Sequence, residues 1–136
     1  MNNTKFATAI HILTILAKNL DEWVSSEWIA GSIYVNPVVV RRELGLLQAQ
    51  GWVVSRKGKE GGSMLQVPAQ AICLGDVYHA VKNSDVLGKK NANPNPQCPV
   101  GKDINTKLDA LFAETDALVA DSLAGKTLAD FEKQFA

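Results

Sequence analysis

Chemically reactive side chains are scarce in this 136-residue chain, which contains two cysteines, Cys73 and Cys98, and two histidines, His11 and His79. Two thiols are too few for a disulfide scaffold. A chain this long buries an adequate core without one, which fits a reducing, cytoplasmic setting. Two histidines offer little general acid–base material. No nucleophile elbow, phosphate-binding glycine loop or His/Cys/Asp cluster at ligand spacing accompanies them, so an enzyme is not expected. Net charge is also lacking. The 14 Lys and Arg balance 14 Asp and Glu, so affinity for a polyanion has to come from a local surface. No apolar run approaches the about 20 residues that span a bilayer. The stretch from Phe6 to Ala17 is interrupted by His11, closed by Lys18 and followed by no Ala-x-Ala pattern, so it reads as a helix of a soluble protein.

What is present is a chain with 46% hydrophobic and 21% charged residues, the composition of one globular domain. Its charge is unevenly spread. Up to Pro68 seven Lys and Arg face five acids, and between Asn36 and Glu60 five basic residues (Arg41, Arg42, Arg56, Lys57 and Lys59) face two acids. Phe6, Ala9, Ile10, Leu13, Ala17 and Leu20 recur at three- and four-residue steps and predict one face of a first helix, from about Thr4 to Asn19. Ser25 or Ser26 then caps a short helix with Trp28, Ile29 and Ile33 turned inward. Asn36-Pro37 is an N-cap followed by the residue best suited to the first helical position, and the third helix runs to Gln50, ending at Gly51. Trp52 to Lys57 and Ser63 to Val67 alternate around a glycine-rich turn and predict a β-hairpin. Leu74, Val77, Tyr78 and Val81 mark a fourth helix. Residues 83–99, rich in Asn, Pro, Gly and Lys, read as a mobile loop. Ile104, Leu108, Leu111, Thr115, Leu118 and Ser122 alternate four- and three-residue steps, with Phe112 and Val119 widening the stripe, along a long last helix suited to pairing with a partner helix.

Three helices, a hairpin and a further helix in that order make a mainly α winged helix-turn-helix with a small β-hairpin, in which the third helix enters the DNA major groove and the wing follows the backbone. On the third helix Val40, Leu44 and Leu47 share the core direction, while Val38, Arg41, Arg42 and Gly45 point away. Arginine reaches guanine edges or phosphates, an exposed valine packs on a thymine methyl, and a glycine permits close approach. Two adjacent arginines taken alone also suit a plain solvated face. Arg56, Lys57 and Lys59 beside the wing tip favour DNA, through phosphate contacts or entry into a narrow minor groove. A winged helix that binds protein instead is the alternative, and it would carry an apolar or acidic third-helix face.

The segment Ser55-Arg56-Lys57-Gly58-Lys59-Glu60-Gly61-Gly62-Ser63-Met64-Leu65, then Pro68, Ile72-Cys73-Leu74 and Asp76-Val77, resembles the wing and following helix of the Rrf2 family of bacterial transcriptional regulators. Ile29-Ala30, Asn36-Pro37, Arg41-Arg42, Leu47 and Gly51 fit the same pattern, so the resemblance covers the whole chain. It implies a homodimer held by the long C-terminal helix (Ile104, Leu108, Leu111 and Leu118), reading a near-palindromic operator and usually repressing transcription. The organisation it implies is a winged helix over 1–82, a flexible sensor or linker loop over 83–101 and a dimerisation helix with its tail over 102–136. Sequence-reading residues of the family fall here on Asn36, Val38 and Arg41, and its minor-groove wing residue on Lys57, where arginine is common. Arg42, Arg56 and Lys59 complete the expected DNA-binding set.

Well-known members hold an iron–sulfur cluster through three closely spaced cysteines before the long helix. That loop contains only Cys98 here, Cys73 lies about 25 residues earlier, and neither histidine completes a ligand spacing, so no cofactor is expected. Cys98, just ahead of the long helix and near Lys102, is a candidate redox sensor, against the plainer reading of a remnant or buried thiol. Cys73 reads as a structural thiol. Trp28 and Trp52 are expected at core-facing positions and Trp23 near a turn. Tyr78 and His79 suit packing better than an effector cavity.

Overall fold

The structure, a computed structural model, describes residues 4–82 and 86–136. Helix α1 (Lys5–Lys18) is followed by α2 (Ser26–Ile33), α3 (Pro37–Ala49), the strands β1 (Val53–Arg56) and β2 (Gly62–Leu65), a single 3-10 turn at Ala69–Ala71, then α4 (Leu74–Val81), α5 (Pro99–Ala124) and α6 (Leu128–Glu132). No helix among the described residues is long and apolar enough to cross a membrane.

The helix boundaries have local causes. Ser25 caps α2 by accepting from the Trp28 amide, and Asn36 caps α3 by accepting from the Val38 amide at 2.9 Å, with Pro37 in the first turn. Gly51 follows α3 at φ +81°, a left-handed conformation that any side chain would strain. Thr127 and Asp130 form a reciprocal capping box at the start of α6. The two strands pair antiparallel, with Val53 opposite Leu65 and Arg56 opposite Gly62.

Helix α1 is the hub of the core. The expected single apolar face is too narrow a description, because Thr8, Ala9, Ile10 and every residue from Ile12 to Ala17 are buried. Elements α2, α3, α4, α6 and β2 all pack around it. A helix enclosed on all sides needs apolar residues all round. Of the two buried threonines, Thr8 and Thr14, the latter satisfies its hydroxyl on the Ile10 carbonyl at 2.7 Å. Ile12, Leu13 and Leu16 meet Ile29, Val40, Leu47, Val53, Ile72, Val77 and Leu128 in one cluster. Leu20, expected to extend the stripe, lies beyond the helix end and is exposed. Leu128 enters the core because the chain returns after α5 and pairs with the segment before α4: Leu128 N–H donates to the Ile72 carbonyl and Leu74 N–H to the Lys126 carbonyl, both at 2.9 Å.

Trp28 is not a core residue. Successive helical residues are set about 100° apart, so with Ile29 and Ala30 turned inward Trp28 swings out, 59% exposed. There it lines an apolar groove of about 610 Å3 with Phe6, Ile10, Phe131 and Phe135. Trp52 packs against the core with partial exposure, as expected.

The asparagine-rich segment before α5 is tied down. Asn83, Ser84 and Asp85, the start of the expected loop, lie outside the described residues. Residues 86–98 run back along α5, held where the Val86 amide donates to Asp116 Oδ1 at 2.8 Å, where Lys90 pairs with Asp109, where Asn105 Nδ2 donates to the Asn91 carbonyl at 2.9 Å, and where the Cys98 amide donates to the Asn95 carbonyl at 3.2 Å. The tethers are side chains of α5, Asp116, Asp109 and Asn105, which the composition of the loop itself does not show. Helix α5 packs chiefly on α4, where a side chain on Gly75 would come within 3.3 Å of the Ala124 backbone.

Asp116 is the buried polar anchor of this region, binding Lys82 Nζ at 3.1 Å as well as the Val86 amide. Replacing it by alanine leaves an ammonium group and an amide without that acceptor. Asp116→Ala is expected to lower stability by about 1–3 kcal/mol, read as a lower urea midpoint at unchanged slope.

Candidate nucleic-acid interface

Helix α3 presents two faces. Val40, Leu44 and Leu47 are buried, whereas Val38, Arg41, Arg42 and Gly45 are exposed, as the helical wheel predicts. Glu43, given no role by the sequence, is 2% exposed and lies 3.7 Å from both Lys5 Nζ and Arg42 Nε, tying α3 to the first turn of α1. Gly45 has nothing within 4 Å of the position a Cβ would take, so no packing within the chain requires a glycine there. Its effect is to lower the outer surface of the helix. The turn between α2 and α3 passes through Tyr34, at φ +64° and almost fully exposed.

The wing is docked against the helices by Val53 and Leu65, which pack in or on the core, and by its backbone. Val24, in the link between α1 and α2, bridges to Ser63: the Val24 amide donates to the Ser63 carbonyl at 3.0 Å and the Ser63 amide to the Val24 carbonyl at 2.8 Å. Gly62 allows this approach, since a Cβ there would lie 2.6 Å from the Val24 carbonyl oxygen. At Gly61 it would lie 2.3 Å from that of Arg56. Ser63 itself is buried, with its hydroxyl 2.6 Å from that of Ser55.

A cleft of about 490 Å3 opens between α3 and the wing, lined by Glu27, Arg41, Gln48 and residues 55–59 among others. It brings Arg41, Arg56, Lys57 and Lys59 together. Lys57 and Lys59 are exposed and enter no ion pair among the described residues. Two of the expected DNA residues have structural duties as well. Asn36 commits its side-chain oxygen to the α3 cap. Arg56 donates from Nε and Nη2 to the Glu60 carbonyl, at 3.0 and 2.8 Å, and stacks over Trp23 at 4.5 Å from the ring centroid, so it braces the wing tip. Arg41 is held by Glu27 of α2.

On α5, Ile104 and Leu108 are half-buried while Leu111 and Leu118 are 50% and 66% exposed. The four expected dimerisation residues thus form one apolar stripe, and Val100, also exposed, extends it. Phe112 lies at its edge and is buried.

Cys98 is the N-cap of α5. Its side chain makes no capping hydrogen bond, but the nearby backbone N–H groups of Gly101 and then Val100 favour the thiolate and lower its pKa below the ordinary thiol value. Cys73 sits at the other end of α5, its Sγ 3.4 Å from the Ala124 carbonyl. At about 1.5 Å per residue the two thiols are roughly 40 Å apart. Among the described residues no group of three or more His, Cys, Asp or Glu is placed to hold a metal ion. The thiols of one chain cannot serve one iron–sulfur cluster, so the donor set does not fit that group.

A helix-turn-helix with a glycine-docked cationic wing and an outward arginine pair defines the class, a winged-helix DNA-binding regulator. The Rrf2 family model, described as iron-dependent transcriptional regulator, matches residues 2–134. The chain belongs to the Rrf2 family of transcriptional regulators. It is 44% identical over 130 residues to the Bacillus subtilis (strain 168) protein named "Putative HTH-type transcriptional regulator YwnA", covering 96% of each. Among solved structures it is similar to a transcriptional regulator, described as putative, from Lactobacillus plantarum, with 27% identity, TM-score 0.78, and coverage of 96% of this chain and 88% of that one. It shares its fold with CymR (YrzC), the global cysteine regulator of B. subtilis, with 21% identity, TM-score 0.72 and coverage of 100% and 98%. The family and these relatives are regulators, not enzymes.

The lowered Cys98 pKa gives a pH prediction. Alkylation of Cys98 in a Cys73→Ser variant is expected to reach half its limiting rate at a lower pH in the native protein than in the urea-unfolded protein. By linkage, this thiol adds stability that is present above the unfolded-state pKa and lost as pH falls through the folded-state pKa. Coincident native and unfolded profiles would show that the helix-end amides do not act on the sulfur.

Proposed function

We propose that this protein represses transcription by binding a near-palindromic DNA operator as a homodimer, with an affinity that responds to oxidation of Cys98. The observation that carries this reading is the cleft in which the outward face of α3 and the basic wing meet, in a chain of zero net charge. Arg41 and Val38 suit base edges and thymine methyl groups. Arg42, Lys57 and Lys59 suit phosphates or the minor groove, and the partial duties of Asn36 and Arg56 make them supporting contacts. The exposed Leu111 and Leu118 stripe supports a two-fold pairing of α5 helices, and a two-fold protein calls for a palindromic site. Support for the thiol response is the position of Cys98 at the N-terminus of α5, partly exposed and with its pKa lowered.

Fluorescence anisotropy of a labelled duplex from upstream of the protein's own gene, against a scrambled duplex at fixed salt, tests the function. Reduced protein should prefer the native duplex by about a thousandfold. Joint replacement of Arg41 and Arg42 by alanine should weaken binding by roughly a hundredfold or more. Lys59→Ala should weaken all sequences alike and flatten the salt slope by about one unit. Oxidised protein should bind differently, and Cys98→Ser should not respond to oxidant. Equal, weak binding to both duplexes favours a protein partner instead.

Dimerisation has its own test. Leu111→Asp combined with Leu118→Asp changes exposed positions, so each protomer keeps its fold. In sedimentation the double variant should run as a monomer. Its operator affinity should fall by about two orders of magnitude, since the two half-sites are then bound separately.

A further inference from the structure

The cleft between α3 and the wing is lined by four cations, Arg41, Arg56, Lys57 and Lys59, and by a single acid, Glu27. Glu27 stands in the first turn of α2, where an acid already complements the helix dipole, but its Oε2 is engaged by Nη2 of Arg41. Both side chains are largely in solvent, 65% exposed for Glu27 and 54% for Arg41. A pair between groups this exposed adds little to stability. Its stronger physical effect is to fix where a long, flexible arginine points.

We propose that Glu27 is a positioning and specificity-determining residue, which holds the Arg41 guanidinium as a base-reading fork and keeps it off the phosphate backbone. This rests on the reading of Arg41 as a base contact. The guanidinium carries two protons on Nη2. Whichever of them Glu27 accepts, the other forms a complete two-pronged edge with the Nε or the Nη1 proton. That edge matches the paired acceptors of guanine in the major groove. Fixing the group in advance removes part of the rotamer entropy lost on binding. The carboxylate also acts on charge. A phosphate approaching Arg41 meets the repulsion of Glu27, whereas the edge of a base carries no net charge and meets much less. One side chain therefore favours base contact and disfavours backbone contact at the same arginine.

The test starts with selection of bound sequences from a random duplex library by the wild-type protein, followed by measurement of all four base pairs at each selected position. Wild type should discriminate by about tenfold or more at the position read by Arg41, and Arg41→Ala should flatten that position alone. Glu27→Ala should reduce discrimination at the same position by about threefold or more, leave the other positions unchanged, and steepen the nonspecific salt slope by up to about one unit as Arg41 turns to phosphate. Combined with Arg41→Ala it should cause no further loss. Glu27→Gln, which keeps an acceptor oxygen without charge, should fall between wild type and Glu27→Ala. An unchanged base preference in Glu27→Ala, a loss spread over all positions, or additive losses in the double variant would each overturn the proposal while leaving the DNA-reading function intact. A wild-type protein that enriches no sequence would overturn both. Thermal melting of Glu27→Ala should match wild type, and a melting loss accompanied by a uniform loss of affinity would assign the residue a structural role instead.

Discussion

The placement of the basic wing beside α3 depends on two backbone hydrogen bonds between Val24 and Ser63, together with the burial of Val53 in the core. A two-stranded hairpin is marginal by itself and free to swing. Anchored to the link between α1 and α2, it becomes a third element of the helix-turn-helix, and its lysines share one cleft with Arg41. Gly62 is the condition for that contact, because only a residue without a side chain lets Val24 so close. The cationic surface of a chain with no net charge is therefore a product of backbone geometry: charges up to 18 residues apart in sequence, Arg41 and Lys59, are brought together by one docked strand.

The same economy holds inside. Helix α1 is packed by α2, α3, α4, α6 and β2, so α3 and the C-terminal segment press on one central rod. Lys5 and Lys18 mark its two ends, Lys5 near Glu43 of α3 and Lys18 paired with Glu132 of α6 at 2.9 Å.

Much of this was legible in the sequence, and the reason is local. The Asn36 cap, Pro37 and the Gly51 stop act within a few residues, so the bounds and outward face of α3 could be read directly. The wing glycines and basic residues were legible too, and the family resemblance followed from them. What escaped depends on long-range contacts. Trp28 was assigned inward because a short helix offers too few residues to fix its rotation, which is set here by the Ser25 cap and by Ile29. Leu20 continued a periodicity that the helix itself did not. Glu43 and Asp116 look like ordinary surface acids until the fold encloses them, and the Val24 bridge has no sequence signal. The loop composition does not show that Asp116, Asp109 and Asn105 of α5 hold the segment down.

That tethered segment sets a length constraint on the chain. From Asp116, where Lys82 and Val86 are held, back to Cys98 the path along α5 is about 27 Å at about 1.5 Å per residue. Residues 86–98 can span about 40 Å when fully extended, so the segment has a reserve of only about four residues. It works as a strap of nearly fixed length. A deletion larger than that reserve has to unwind the first turn of α5 and move Cys98 from the helix end where it stands.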